Sequence, residues 1–376
     1  MVSVKPKITW KTAVLPALGI AAFIIYLYIF QTDIPEIIQT IRGANPPLFF
    51  SAAIMVFIDT FFYAIAWRVL LNHLSVKLSV RRAYLYVWYG TFMDIIIPAE
   101  SISGEISRIY LVTREQGNIV SGKVVASLVA HRLISMGVCA ATIVVGMSIL
   151  LAEKYGHVDS LIFNLSLFLV VATTFFLALL LVLCIKQEWT LKIIDFGIGV
   201  IEFLSRKRWR LAKARGEAVK IAWIFHDSMK EFGRAPKVVA LSIFLSGLSW
   251  LFYLSISYMV LLALDFPVQW SAILVTQSIV SAVKSIPMGV PFEVGLPEIT
   301  MTTLYKVLGV PFGISATATI LTRILTVWLR FFIGFATQQW LEIKTITASI
   351  DESAKGKPKF STADIIDKNE TLENSD

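Results

Sequence analysis

Glu105, Arg108, Arg132, Glu298 and Arg323 are charged residues set in stretches otherwise apolar enough to lie in a bilayer. They recur in a fixed order. Pro98 stands seven residues before Glu105, and Pro291 stands seven before Glu298. A glycine (Gly117, Gly309) and then an arginine (Arg132, Arg323) follow in each case. A charge at the centre of a membrane helix costs at least about 2.5 kcal/mol on insertion scales, so a repeated set is expected to face a polar cargo or one another. The prolines and glycines of both blocks break the helix. The backbone groups they free are tolerated only inside protein or against a wet cavity. Freed N–H groups at the start of a half-helix suit an anion such as a phosphate.

The chemistry on offer is recognition of a charged headgroup. The candidate substrate-binding residues are Glu105, Arg108, Arg132, Lys284, Glu293, Glu298 and Arg323, and no catalytic residue is assigned. Two blander roles stand beside this one. Each Glu could pair with the Arg of its own half as a structural tie, or could cap the helix that follows the break. Arg108, three residues past Glu105, shares its helical face and serves as a phosphate or Glu partner. Lys284 and Glu293 flank the second break. Arg68 and Arg330 lie nearer span ends and are expected to snorkel to the headgroups. Asp59 and Asp94 fall mid-span and are expected to face the interior, with no partner assigned.

The elements that must position these residues follow from composition. Of 376 residues, 56% are hydrophobic and only 16% charged, and the mean hydropathy is +0.73. Several apolar runs reach the roughly 20 residues needed to cross a bilayer. The expected fold is an all-α polytopic membrane protein with about six full spans, near 12–30, 48–71, 124–152, 161–185, 238–264 and 312–341. Residues 84–97 and 270–287 are apolar but short, and each ends at or near a proline. With the charged stretches after them they read as two re-entrant helical hairpins. The first repeat then covers about 48–152 and the second about 238–341, in inverted orientation.

Between the repeats lies a basic insertion, 186–237, with twelve basic residues against six acidic ones. Its Ile193, Ile194, Phe196, Ile198, Val200, Ile201 and Phe203, beside the Arg206–Arg210 cluster, read as an amphipathic layer against anionic headgroups. Lys5, Lys7 and Lys11, the basic 72–83 loop and this insertion place both termini on the cytoplasmic side of a cell membrane. The tail, 346–376, is polar and expected to be disordered. Cys139 and Cys184 read as packing residues, and the four histidines show no metal spacing, so neither metal nor cofactor is expected. Nucleic acid is not an expected partner.

The segment from Pro98 to Arg108, with Gly117 and Arg132 after it, resembles the first signature of the lysylphosphatidylglycerol synthase transmembrane region, also called the flippase-like domain family. Pro291 through Glu293, Gly295, Glu298, Tyr305, Gly309 and Arg323 is similar to its second. The likeness spans roughly residues 10–345, and Ser103 stands where the family pattern often carries a second glycine. The resemblance implies a helical flippase fold that moves a charged-headgroup lipid between leaflets, such as an aminoacyl phospholipid or a polyprenyl-phosphate-linked glycan. Well-known bacterial members join this region to a soluble aminoacyl-transferase domain, and the polar tail here is too short to form one. Alternatives are an integral-membrane transferase using a polyprenyl-phosphate donor, and a non-transporting subunit that anchors a lipid-synthesising enzyme.

Overall fold

A computed structural model describes residues 34–97, 102–153, 158–204, 212–284 and 295–354. The expected span at 12–30, the tail beyond 354, and Pro98, Pro291 and Glu293 lie outside the described residues. The described elements are helices: α1 (Ile34–Gly43), α2 (Pro46–His73), α3 (Val80–Ile96), α4 (Ile102–Gln116), α5 (Ser121–Glu153), α6 (Ser160–Ile185), α7 (Gln187–Leu204), α8 (Ala212–Gly233), α9 (Pro236–Ala263), α10 (Trp270–Lys284), α11 (Leu296–Val307), α12 (Phe312–Arg323) and α13 (Arg330–Ala354). A short 3-10 turn precedes α5, and a π-helical stretch, Ile324–Leu329, joins α12 to α13.

Five helical segments are long and apolar enough to cross a membrane: Pro46–His73, Asn118–Glu153, Ser160–Ile185, Pro236–Ala263 and Phe312–Ile343. They coincide with five of the six expected spans. The helices α3, α4, α10 and α11 have 17, 15, 15 and 12 residues. At 1.5 Å per residue they reach about 18–26 Å, short of a hydrocarbon core roughly 30 Å thick.

The two longest-matched helices, α2 and α9, lie against each other antiparallel. Asn45 N–H donates to the Ala263 carbonyl at one end (2.7 Å), and the Ser242 hydroxyl donates to the Ala66 carbonyl near the other (3.3 Å). Both start on a proline at the first turn, where a missing N–H costs nothing. Both end in the same way. Val76 N–H reaches back to the Leu71 carbonyl and Phe266 N–H to the Leu261 carbonyl, around left-handed Ser75 (φ 63°) and Asp265 (φ 56°). That is the reach-back of a Schellman stop. Asp59 and Ser249, 190 positions apart like these turn residues, hydrogen-bond to each other at 2.7 Å. Phe62 and Phe252, separated alike, stack with ring centroids 5.5 Å apart. Positions 190 apart in sequence thus meet one another across the α2–α9 contact.

The short helices then cross over. Helix α10 packs against α5 at Gly146, and α3 packs against α13 at Gly334. A Cβ at Gly146 would stand 2.7 Å from Leu274 Cβ. One at Gly334 would stand 2.7 Å from Phe92 Cβ and 2.8 Å from the Trp88 carbonyl. Each half thus seats its short helix on the long helix of the other, and glycine makes the approach possible. Gly146→Leu and Gly334→Leu are each expected to destabilise the protein by about 1–3 kcal/mol through overpacking. Gly137→Leu, which meets nothing within 4 Å, is the control. Thermal unfolding in detergent checks this, and an unshifted midpoint for Gly334→Leu would contradict the packing.

The basic insertion forms two helices, α7 and α8. The second, α8, docks on the start of α5, where Gly122 faces Ile224 and the Ile221 carbonyl. Buried His226 ties it in through the Cys184 carbonyl (2.9 Å) and the Thr190 hydroxyl (3.1 Å). Only α7 keeps an exposed apolar row, Trp189, Ile193, Phe196 and Val200, at helical spacing. Helix α13 also runs on to Ala354, past the boundary at 346 expected for the tail.

Candidate functional site

The first break joins α3 to α4 in an antiparallel pair. Gly90 and Gly104 face each other across it. A side chain on Gly104 would collide with the Asp94 carboxylate and the Gly90 carbonyl, so the close approach requires glycine. Asp94, left without a partner in the sequence reading, takes up the start of α4. Its Oδ1 accepts from Gly104 N–H at 2.6 Å and from the Ser103 hydroxyl at 2.9 Å. Orphan N–H groups at a helix start need such an acceptor. Ser103 therefore supplies a second donor to that carboxylate.

With Asp94 at that end, Glu105 is released from capping and pairs instead with Arg132 on α5, at 3.5 Å. This pair stays partly open, with side chains 23% and 32% exposed. Arg108 lies deeper. It is 4% exposed, its Nε donates to the Gly104 carbonyl at 3.3 Å, and its guanidinium carbon sits 5.8 and 5.5 Å from the ring centres of Tyr63 and Trp67 on α2. Aromatic faces hold a cation without neutralising it. Arg108 Nη1 is buried with no hydrogen-bond partner among the described residues, as is Nε2 of buried His131, whose ring meets Tyr63 edge-on at 4.4 Å. Tyr63, Glu105 and Asp94 all act electrostatically on Arg108, and the Tyr63 side chain also hydrogen-bonds it. The result is a buried cation with donor capacity left over, beside an ion pair that solvent still reaches. That combination can bind an anionic group.

The second break is built from the same residue types to a different end. Glu298 serves as cap and ion-pair partner together: its Oε2 accepts from Gly295 N–H at 2.7 Å, and its Oε1 meets Arg323 Nε at 2.5 Å. Both side chains are closed off, at 2% and 8% exposure. Gly295 takes φ 111°, a conformation only glycine adopts readily. Around the pair, Gln277 on α10 donates to the Tyr305 hydroxyl at 2.9 Å, and Thr302 bonds Thr319 at 3.0 Å. The start of α11 is thus locked into the protein. Lys284 closes the last turn of α10, partly buried, where a cation suits the helix C-terminus. Glu293 lies outside the described residues.

Three residues read differently from sequence find partners here. Arg330 does not snorkel; it pairs with Asp59, which also accepts from Ser249. The guanidinium of Arg330 lies 5.8 Å from the Tyr253 ring centre. Near the end of α2, Arg68 Nε donates to the Leu78 carbonyl at 2.6 Å and ties down the turn that follows. The Asp59–Arg330 pair was missed because its members lie in opposite halves and share no motif. The available signal was a buried carboxylate requiring a cation.

The sequence model of the family described as the lysylphosphatidylglycerol synthase TM region matches residues 14–334. The chain belongs to that family. Both Glu–Arg pairs and the basic insertion fall within the matched stretch. Two relatives are UPF0104 membrane proteins. One, from Pyrococcus horikoshii, is 19% identical over 329 residues, covering 86% of this chain and 95% of the relative. The other, from Methanothermobacter thermautotrophicus, is 20% identical over 329 residues, covering 87% and 94%. No solved structure matches. As a member of the lysylphosphatidylglycerol synthase TM region family, the chain is a multi-helix membrane protein.

Proposed function

We propose that this protein is a flippase-like transporter that moves a lipid with a charged headgroup between membrane leaflets. The observation that carries the reading is Arg108. A buried guanidinium with an unpartnered nitrogen stands next to the part-open Glu105–Arg132 pair, at the start of a broken helix. A lipid phosphate would take the free donor of Arg108, and an ammonium on an aminoacyl headgroup would exchange with Arg132 at Glu105. Arg323 and Glu298 would brace the opposite half, with Lys284 and Glu293 at its break.

The membrane topology supports this reading. Antiparallel spanning helices can be related only by an axis in the membrane plane. The two short pairs, α3–α4 and α10–α11, would then be re-entrant hairpins dipping in from opposite faces, as inverted-repeat transporters arrange their midplane sites. In this scheme both termini are cytoplasmic, in the cell membrane. The exposed row on α7 lies among anionic headgroups, and a lipid-synthesising enzyme is the partner that would supply cargo.

The test is leaflet exchange in proteoliposomes, using lysyl-phosphatidylglycerol, phosphatidylglycerol and a polyprenyl-phosphate-linked glycan as cargo. Wild type is expected to accelerate exchange of one charged lipid. Glu105→Gln and Arg132→Ala are expected to slow it roughly tenfold or more, the worth of one hydrogen bond to a charged group. Full exchange by both variants would remove these residues from the mechanism. Turnover of the polyprenyl donor without exchange would reassign the protein as a transferase.

A further inference from the structure

Helices α3 and α13 touch closely where Gly334 meets Phe92 and Trp88. Toward the start of α3 an open wedge of about 450 Å³ is lined by Arg81, Leu85, Phe332, Ile333, Ala336, Thr337 and Trp340. Its walls are apolar, and its mouth is not. There the Arg81 guanidinium lies over the Trp340 ring, 5.2 Å from the centroid. The next residue, Arg82, is engaged by Glu115 at 3.0 Å. Arg81 has no such carboxylate within 4 Å among the described residues, and it is exposed.

We infer that this wedge is a binding site for an anionic glycerophospholipid, separate from the Arg108 site and independent of whether the protein transports anything. The occupant follows from complementarity along the wedge. An acyl chain fits the slot between Leu85 and the Phe332–Ala336 face, where the lining is mostly apolar. A phosphate then falls at Arg81, which offers two parallel N–H donors to its oxygens. Trp340 suits the same level, since an indole prefers the boundary between acyl chains and headgroups. A zwitterionic lipid would fill the slot equally well but would bring its own cation to Arg81. The site therefore selects for net negative charge.

Native mass spectrometry of the purified full chain tests this, with phosphatidylglycerol and phosphatidylcholine added at equal concentration. Wild type is expected to retain phosphatidylglycerol in excess, and Arg81→Gln is expected to lose that excess, roughly tenfold for one charge-assisted contact. Arg81 is exposed and has no carboxylate partner among the described residues, so this variant is not expected to disturb folding. Ala336→Trp, which fills the slot, is expected to reduce retention of both lipids. Equal retention of the two lipids by wild type, or undiminished phosphatidylglycerol on Arg81→Gln, would overturn the inference.

Discussion

Arg323→Met is expected to destabilise the detergent-solubilised protein by about 3–5 kcal/mol, the usual cost of removing one partner from a buried ion pair. The substitution leaves Glu298 charged at 2% exposure, with only the Gly295 N–H among the described residues to satisfy it. The double variant Glu298→Gln/Arg323→Met should recover most of the loss. Glutamine retains the oxygen that accepts from Gly295, and no uncompensated charge remains. The matching pair in the first half predicts a contrast. Glu105→Gln is expected to cost only about 0–1 kcal/mol, the range of solvent-reached pairs, because both side chains stay partly open. Thermal unfolding read by fluorescence-detected size exclusion would rank the variants. Equal midpoints for Arg323→Met and Glu105→Gln would end the distinction between a locked and an open half.

Asp59→Asn is the second large effect. It strands Arg330, whose Nε already lacks a hydrogen-bond partner among the described residues. A loss of about 3 kcal/mol is expected for an ion pair this enclosed. Asp59 lies on α2 and Arg330 at the head of α13, just after the π-helical stretch. The pair therefore ties the two halves together, with Ser249 of α9 as the third member. Asp59→Asn/Arg330→Gln should restore much of the lost stability, since two amides can hydrogen-bond where two charges did. Ser249→Ala should cost about 1 kcal/mol, the net worth of one hydrogen bond. Wild-type stability of Asp59→Asn would show that the halves are held together elsewhere.

The two signature blocks show how far the chain could be read directly. Glu105 with Arg132, and Glu298 with Arg323, were legible as pairs because each Glu precedes its Arg within one half and both must leave lipid. The Asp59–Arg330 pair was not, with its members 271 positions apart. Nor was the division of labour between the halves. Glu105 and Glu298 look alike as residues, yet Asp94 takes the capping position at α4 while Glu298 keeps it at α11. Capping depends on which carboxylate packing brings within reach of the free N–H groups, and local spacing does not encode that.

Apolar length alone determined that helices cross a membrane, where five of them lie, and that prolines and glycines interrupt two further segments. Tertiary structure alone decided which faces of those helices are buried, which charges are sealed and which stay open, and where a wedge remains. The reason lies in the solvent. In water, an apolar stripe marks the face turned inward, but lipid tails are as apolar as a protein core. A helix such as Ser160–Ile185, richly hydrophobic yet little covered by protein, therefore carries no pattern that tells neighbour from lipid. Orientation is left to small residues such as Gly146 and Gly334, and to charges that cannot be satisfied anywhere else.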